Sequence, residues 1–307
     1  MYFGNDRQQE TLLAFFRQHN EEFGRMLGVS RSKSSYYKYR SVYRLLAAYV
    51  RERCRRADIP FRELDKRFLA GFHQYIARES PHKKNTAWVY MIAFKHILML
   101  ARSRDLLSAD LFAGYRLRSE FVARDYLTET EIRRLMLLAP TDRTQRLVLD
   151  AFLFSCFTGL SYIDIRQLKP ANIRYTQGQL WIGTTRRKTG SEVYVRLFAV
   201  PNAILSRYLT DAADEPIFAL PSNGWCNACL RRLLPEAGIV RPVTFHVARH
   251  TFATTTTLSQ GVAIDTIRKL LGHRNIRTTQ IYAAVTHAKL EGDMERLSRQ
   301  LDACYRL

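Results

Sequence analysis

The chain has 307 residues, of which 47% are hydrophobic, and it carries a formal net charge of +20. This length and this apolar content exclude a disordered basic tail and predict one large or two medium folded domains. No apolar stretch approaches the ~20 residues that span a bilayer, and no signal peptide is recognisable, so nucleic acid suits the positive charge better than a membrane does. A cytoplasmic location, in association with the DNA of the nucleoid, is therefore expected.

The first part of the chain is predicted to be helical, because apolar residues recur there every three or four positions. In one such segment Val42, Leu46 and Val50 share a face. The predicted helices cover residues 7–27, 36–50, 64–79 and 85–103. Lys and Arg occupy the polar faces, so a compact, basic bundle of about four helices is predicted over residues 1–114. The basic, weakly apolar stretch 115–126 is predicted to be an interdomain linker.

The second part of the chain, residues 127–307, is predicted to mix helices with a small sheet. Thr128 and Glu131 have the spacing of a capping box at a helix start. Three short segments of β character lie between residues 172 and 197 and predict a three-stranded antiparallel sheet. Gly261 and Gly272 stand where helices should stop. The predicted helices cover residues 143–158, 201–210, 224–236, 246–258, 263–271, 275–284 and 287–303.

The cysteines invite comparison with a zinc site. Cys226 and Cys229 are followed by His246 and His250, but the interval is longer than the ~12 residues of a zinc finger. Both cysteines also fall in a segment of helical pattern, which favours small buried thiols. The odd total of five cysteines indicates free thiols in a reducing compartment. No metal and no cofactor are expected.

The C-terminal part contains phosphate-binding side chains followed by a nucleophile. His246 and Arg249 lie on one face of a predicted helix in the string T-F-H-V-A-R-H-T-F-A-T. His273 precedes Tyr282 by nine residues in L-L-G-H-R-N-I-R-T-T-Q-I-Y. A guanidinium fork can hold two phosphate oxygens, and an imidazole can donate to the same phosphate. Forming a phenolate at neutral pH costs about 4 kcal/mol, which neighbouring cations can offset.

The order and context of these residues resemble the tyrosine recombinase (phage integrase) family over nearly the whole chain. The resemblance implies a helical, SAM-like core-binding domain and a mixed α/β catalytic domain that close around duplex DNA as a C-shaped clamp. The overall fold class is thus mainly α with a small antiparallel β-sheet. The implied reaction is site-specific recombination, in which Tyr282 forms a 3′-phosphotyrosyl link. Arg249, His246 and His273 stabilise the phosphorane, and Lys188, in the hairpin R-R-K-T-G-S, is the general acid.

The resemblance also implies an assembly. Free monomers would form a homotetramer on short inverted-repeat core sites in double-stranded DNA and exchange strands through a Holliday junction, without metal or ATP. A separate arm-binding domain is not recognised, which favours a DNA invertase or an enzyme of a mobile element. The segment 287–303 is expected to dock on a neighbouring protomer, with packing on its own domain as the alternative. Its apolar positions are Leu290, Met294, Leu297 and Leu301.

The chain departs from the family pattern at one position. The first conserved box of the family reads T-G-L-R, whereas Ser161 stands here in place of the Arg. Some members of the family also carry Ser, and Asp164 keeps the acidic position that follows. Losing one phosphate donor is worth about 3–4 kcal/mol in the transition state. Arg186 is the first candidate to replace it, with Arg187 beside it and Arg166 next.

Two other functions stay open at this point. A type IB topoisomerase uses the same residue types, and it would relax supercoiled DNA without a target site. A cleavage-deficient DNA-binding or regulatory protein is the second alternative, motivated by Ser161, although an active enzyme is expected. Such a protein would bind a specific site and form no covalent adduct.

Overall fold

The computed structural model describes most of the chain, namely residues 11–79, 84–120, 124–187, 189–210, 212, 214–282 and 287–305. The chain divides into two compact units, the first ending at residue 122 and the second beginning at residue 123. Each unit has its own hydrophobic core.

The first unit is a helical bundle with an aromatic core. Phe16, Phe72 and Phe94 are fully buried in it, and Phe72 meets Phe94 edge to face with ring centroids 5.0 Å apart. Val42 and Leu46 lie on the buried face that the sequence predicts. The helices of the described part are α1 (Leu12–Arg25), α2 (Lys33–Arg53), α3 (Lys66–Glu79) and α4 (Lys84–Ser103). The predicted helical character of this part is confirmed.

The second unit packs helices around α6 and places a small antiparallel sheet beside them. The strands lie in the order β1, β2, β3, with Ile182 opposite both Ile173 and Val195. The predicted fold class, mainly α with a small antiparallel sheet, is confirmed. The strands are β1 (Ile173–Thr176), β2 (Gln179–Thr185) and β3 (Glu192–Arg196). The α-helices are α5 (Glu129–Leu137), α6 (Arg143–Thr158), α7 (Tyr162–Arg166), α8 (Ala199–Ser206), α9 (Asn223–Leu233), α10 (Phe245–Thr251), α11 (Ile264–Leu270), α12 (Arg277–Gln280) and α13 (His287–Cys304).

The helix predicted over residues 246–258 is not continuous. After α10 the backbone becomes a π-helix, Phe252–Thr257, and then a 3₁₀ turn. The threonines of this segment bond to distant or preceding carbonyls: Thr255 donates to Leu127 O and Thr256 donates to Cys156 O. Hydroxyls that bond in this way compete with the regular helical ladder, and π-turns occur preferentially near functional sites.

Side chains hold the segment predicted as a linker at two places, near its middle and at its end. In the first unit, Asn85 exchanges two hydrogen bonds with the backbone of Glu120. In the second unit, Arg241 donates to Tyr126 O and to both carboxylate oxygens of Glu131. The predicted capping box is present, because Glu131 also accepts from the backbone of Thr128, whose hydroxyl accepts from Glu131 N. Glu131 therefore joins the start of α5 to the region before α10.

We expect Glu131→Gln to destabilise the second unit at neutral pH and to have little effect in acid. The Arg241 hydrogen bonds, as the largest cause, hold the pKa of Glu131 at about 2, below its usual 4.5. A depressed carboxylate pKa stabilises the fold above pH 4.5, and this contribution is lost as the pH falls towards 2. Gln preserves the capping box, so the loss of about 2 kcal/mol reports the charged contact. Urea unfolding at pH 7 and at about pH 2 measures it, because the native carboxylate becomes protonated only near the lower value.

The matched control for this prediction is Glu129→Gln on the same helix. Glu129 pairs with Arg133 at the surface, where both side chains are largely exposed, and such pairs contribute little. The prediction is wrong if Glu131→Gln destabilises the protein equally at both pH values.

Candidate active site

Arg249 lies at the centre of a cluster where several segments of the second unit meet. It projects from α10, is 3% exposed, and donates to the carbonyl oxygens of Gly159 and Leu271. Its Nη2 also lies 3.0 Å from Nε2 of His273. The end of α6 and the end of α11 are therefore both fixed around one guanidinium.

His273 is held from both sides of its ring. Because a guanidinium can only donate, Nε2 of His273 accepts from Arg249, and in the neutral ring the proton lies on Nδ1. Nδ1 is 3.0 Å from the hydroxyl of Thr279, which is fully buried at the end of α12. Thr279 O in turn accepts from the backbone N–H of Tyr282. His273 thus connects Arg249 to the segment that carries Tyr282.

A second guanidinium, that of Arg186, reaches the same cluster from the β2–β3 hairpin. Its Nη1 donates to Leu271 O at 3.1 Å, so this carbonyl accepts from both Arg186 and Arg249. Its Nε lies 3.0 Å from Oδ2 of Asp164, although the N–H is not aligned for a hydrogen bond. Arg186 approaches so closely because residue 272 is a glycine. A Cβ there would lie 2.8 Å from Arg186 Cγ, and φ is +60°.

The variant first box is folded around Asp164. Gly159 ends α6 in the left-handed conformation and turns its carbonyl to Arg249. Ser161 donates its hydroxyl to Asp164 Oδ2 at 2.6 Å and its backbone N–H to the same oxygen at 3.1 Å. Ser161 therefore orients Asp164, which pairs with Arg186. In the family pattern, residue 161 would be a phosphate-binding Arg. Here Ser161 instead binds the carboxylate of Asp164, and Asp164 pairs with Arg186.

The other arginines named as replacements lie elsewhere. Arg187 is exposed on the hairpin, and Arg166 is exposed on α7, beside Tyr162. Of the three candidates, Arg186 is the one that the structure brings against the same carbonyl as Arg249. Lys188 lies outside the described residues. Its neighbour Thr189 donates to Gly272 O at 3.4 Å, so this part of the hairpin reaches the cluster.

The cluster has an excess of buried positive charge. Among the described residues, the buried charged side chains at this place are Arg186, Arg249 and Asp164. Burial, followed by the charge of Arg186, lowers the pKa of Arg249 to about 9, so Arg249 remains protonated at neutral pH. Two buried cations face one buried carboxylate, and an uncompensated buried charge is costly. An anion at this place would lower that cost.

Tyr282 lies in the same cluster, just after α12. It is 8% exposed and packs with Phe252 and Leu271. Its Oη is 2.8 Å from Nδ1 of His250. Burial raises the pKa of the phenol, while the charge of Arg249 acts in the opposite direction. The phenol is therefore protonated in this state and lies close enough to Arg249 to respond to its charge.

His250 is the residue of this site that sequence reasoning missed, because it was considered there only as a possible metal ligand. It is buried next to Arg249, and its ring lies 4.4 Å from that of His246. His246 itself is exposed on α10. The signal in the sequence was the i, i+4 spacing of the two histidines, which places them on one face of a helix.

Cys226 and Cys229 are buried on α9, and burial raises the pKa of the Cys226 thiol to about 11. In the part of the chain that the structure describes, no three His, Cys, Asp or Glu side chains are grouped so that they could hold a metal ion. None of the described helices has both the length and the apolar character needed to cross a membrane.

Comparison with known proteins finds a matching family model for each of the two units. Residues 125–289 match the phage integrase family, and residues 11–117 match the phage integrase SAM-like domain. Tyrosine recombinase XerA of Pyrococcus furiosus is 31% identical over 185 residues, which are 55% of this chain and 60% of that protein. Tyrosine recombinase XerD of Listeria monocytogenes is 44% identical over 149 residues, which are 44% of this chain and 48% of that protein. The chain thus spans about three fifths of the length of the first of these relatives and half of the second.

Solved structures of low sequence identity share the fold. A lambda integrase dimer bound to a COC′ core site superposes with a TM-score of 0.68 at 16% identity, covering 89% of this chain and 95% of that one. The Tn1549 transposon integrase in complex with transposon right end DNA also has a TM-score of 0.68, at 14% identity, covering 94% of this chain and 100% of that one.

Proposed function

Because the chain belongs to the phage integrase family, we propose that it cuts and rejoins DNA at specific sites through a covalent bond to Tyr282. The observation that carries the proposal is the buried pair of Arg249 and Arg186, which exceeds its single buried counter-charge Asp164 and lies beside Tyr282. A DNA phosphate has the charge that this cluster lacks and oxygens that a guanidinium fork can hold.

The proposed reaction exchanges one ester for another. Tyr282 Oη loses its proton and attacks the phosphorus, the bond from phosphorus to the 5′ oxygen breaks, and a 3′-phosphotyrosyl ester forms. Lys188 gives a proton to the leaving 5′ oxygen and is reprotonated by the equivalent of the phenol proton, while Arg249, His246 and His273 stabilise the phosphorane. A 5′-hydroxyl of another strand then attacks the phosphotyrosyl ester and releases the phenol. The bonds made and broken are equivalent, so ATP is not needed to drive the exchange, and the cationic side chains supply the charge stabilisation that a metal would otherwise give.

We assign the role of the missing first-box Arg to Arg186. Support comes from its burial, its ion pair with Asp164 and its sharing of the Leu271 carbonyl with Arg249. Ser161 contributes by orienting Asp164, so the two positions act as one unit.

We propose the domain organisation and the assembly that the family resemblance implies. Residues 1–114 would form the core-site DNA-binding domain, 115–126 the linker and 127–307 the catalytic domain. Four protomers would act on double-stranded DNA with short inverted-repeat core sites, in an inversion or as part of a mobile element, through a Holliday junction. Docking of α13 on a neighbouring protomer is supported by the exposure of its apolar face. The described side chains of that face are exposed by about half: Met294, Leu297 and Leu301.

Covalent trapping tests the proposal. We expect the purified protein, without added metal, to form an adduct on nicked duplexes that survives denaturation, at a few sites selected from its own locus and a randomised library. Sequencing the trapped DNA would give the core site. Specific, salt-sensitive binding without an adduct would instead identify a cleavage-deficient DNA-binding protein. Relaxation of a supercoiled plasmid that lacks the core site would identify a topoisomerase.

A further inference from the structure

His250 connects α10, the helix that carries Arg249, to Tyr282. It follows Arg249 on α10, is 5% exposed, and places Nδ1 2.8 Å from Tyr282 Oη. The two ring centroids are 5.3 Å apart and the rings are tilted by 51°, so the rings are not stacked and the contact is made by the hydroxyl and the ring nitrogen. This bond joins residues that are 32 positions apart in the sequence.

The chemistry of the ring fixes the direction of this bond. Burial is the main cause that lowers the pKa of His250, to about 3. Repulsion from nearby basic side chains lowers it further; these are His246, Arg124, Arg249 and His273. A neutral imidazole has one acceptor nitrogen and one N–H. Because the phenol is the stronger hydrogen-bond donor of the two groups, we assign Nδ1 as the acceptor of the phenol proton.

Tyr282 depends on this acceptor because its other neighbours among the described residues are apolar side chains and the cations Arg249 and Arg124, which cannot accept a hydrogen bond. The phenol belongs to the buried apolar cluster that contains Phe252, Leu271 and Ile267. A buried hydroxyl that loses its only acceptor keeps the full cost of its desolvation, and the side chain then gains by turning towards water. The backbone bond from Tyr282 N to Thr279 O holds the main chain but does not hold the ring.

We propose that His250 is a positioning residue, which keeps the Tyr282 phenol inside the cluster beside Arg249 before DNA is cut. The proposal rests on the role of Tyr282 as the nucleophile. In this arrangement the attacking oxygen and the phosphate-binding guanidinium belong to one protomer and are preassembled. Preassembly of reacting groups is a large source of rate enhancement, so loss of the His250 contact lowers the rate of attack without removing any group that touches the phosphate.

Nitration of the phenol tests this position without DNA. Tetranitromethane modifies accessible tyrosines, and trypsin releases Tyr282 in the peptide 278–289, which contains no second tyrosine. Because the buried hydroxyl loses its acceptor, we expect His250→Leu to raise the nitration rate of Tyr282 about tenfold. His250→Asn has nearly the shape of Leu and places an acceptor oxygen near the position of Nδ1. We therefore expect it to stay close to the wild-type rate.

The same digest supplies the controls. Tyr208, which donates to Asp150 at 2.8 Å, is released in the peptide 208–231 and reports whether the second unit stays folded. His73→Leu removes the other His–Tyr hydrogen bond of 2.8 Å, to Tyr115, and should leave Tyr282 nitration unchanged. If Leu and Asn expose Tyr282 equally, or if neither exposes it, the proposal is overturned. The comparison of His250→Leu with His250→Asn stays decisive even if the Leu variant also raises the nitration rate of Tyr208, because the two side chains have nearly the same shape and differ in the acceptor oxygen.

A second readout separates this inference from the proposed function. With DNA, His250→Leu should slow adduct formation about tenfold at unchanged DNA affinity, since an unpartnered hydroxyl turns away from the cluster, and Asn should restore most of the rate. If the wild-type protein forms no adduct at all, the recombinase proposal fails, while the nitration result still decides whether His250 positions Tyr282.

Discussion

Replacing Tyr282 with Phe is expected to abolish the covalent protein–DNA adduct and to leave the affinity for core-site DNA unchanged. Phe keeps the ring that packs with Phe252 and Leu271 and removes only the attacking oxygen. Loss of the nucleophile lowers the rate of a covalent enzyme by about 10⁶, so the adduct falls below detection on a denaturing gel. DNA affinity is measured on the same nicked duplex by a mobility shift.

The matched control is Tyr208→Phe. Tyr208 also donates its hydroxyl to a buried partner, Asp150 on α6, but it lies just after α8 and outside the cluster around Arg249. We expect this variant to form adduct at the wild-type rate. An adduct of undiminished yield in Tyr282→Phe would contradict the assignment, and mass spectrometry of the DNA-linked peptide would then identify the true nucleophile.

Local signals in the sequence explain why some of the predicted helix ends agree with the observed ones. The helix predicted at 143–158 has these bounds in the structure, because Asp142 caps its first turn and Gly159 ends it with a left-handed residue. Gly261 and Gly272 end helical segments in the same way, with positive φ. Such stops depend on one or two residues, so they can be recognised without knowing the fold.

The π-helix after α10 could not be found in this way. Its threonines have ordinary helical neighbours in the sequence, but their partners are Leu127 and Cys156, more than 90 positions away. The same holds for His250, whose phenol partner lies on another element. Contacts of this kind are determined by tertiary packing, and a single sequence contains no periodic signal for them.

The inward position of Arg186 could be predicted from the sequence only in part. Side chains alternate along a strand, and Ile182 is fully buried in β2. Counting by two from Ile182 passes Thr184 and reaches Arg186, whereas Arg187 falls on the opposite face. This alternation distinguishes the two neighbouring arginines. It does not identify the partner Asp164, which is 22 positions earlier and is reached only because the hairpin folds back on α7.

Arg186→Ala is expected to lower the rate of DNA cleavage by about 10²–10³, the usual effect of removing one donor to a transition-state oxygen. Arg187→Ala and Arg166→Ala are the matched controls, because both remove an arginine that is exposed. They should cleave at the wild-type rate, although each can weaken DNA binding by removing a positive charge. Single-turnover adduct formation at saturating protein separates the rate from the affinity.

Folding has to be distinguished from chemistry in this experiment, because Asp164 is buried and Arg186 is its cationic partner. Removing one partner of a buried pair costs about 3–5 kcal/mol, so Arg186→Ala can lose activity by unfolding. Arg186→Lys keeps the charge near Asp164 and removes the planar fork that holds two phosphate oxygens. If Arg186 only supports the fold, the Lys variant should be stable and fully active.

If Arg186 replaces the first-box Arg, the Lys variant should be stable and still cleave at least about tenfold more slowly, since the donors of a lysine sit on one nitrogen and cannot hold two phosphate oxygens as the planar fork does. A thermal melt establishes stability, and the adduct rate establishes function. The outcome also bears on Ser161, whose hydroxyl holds the Asp164 oxygen that faces Arg186. A slow, stable Lys variant would mean that the T-G-L-S box has not lost its phosphate contact but has transferred it, through Asp164, to the hairpin.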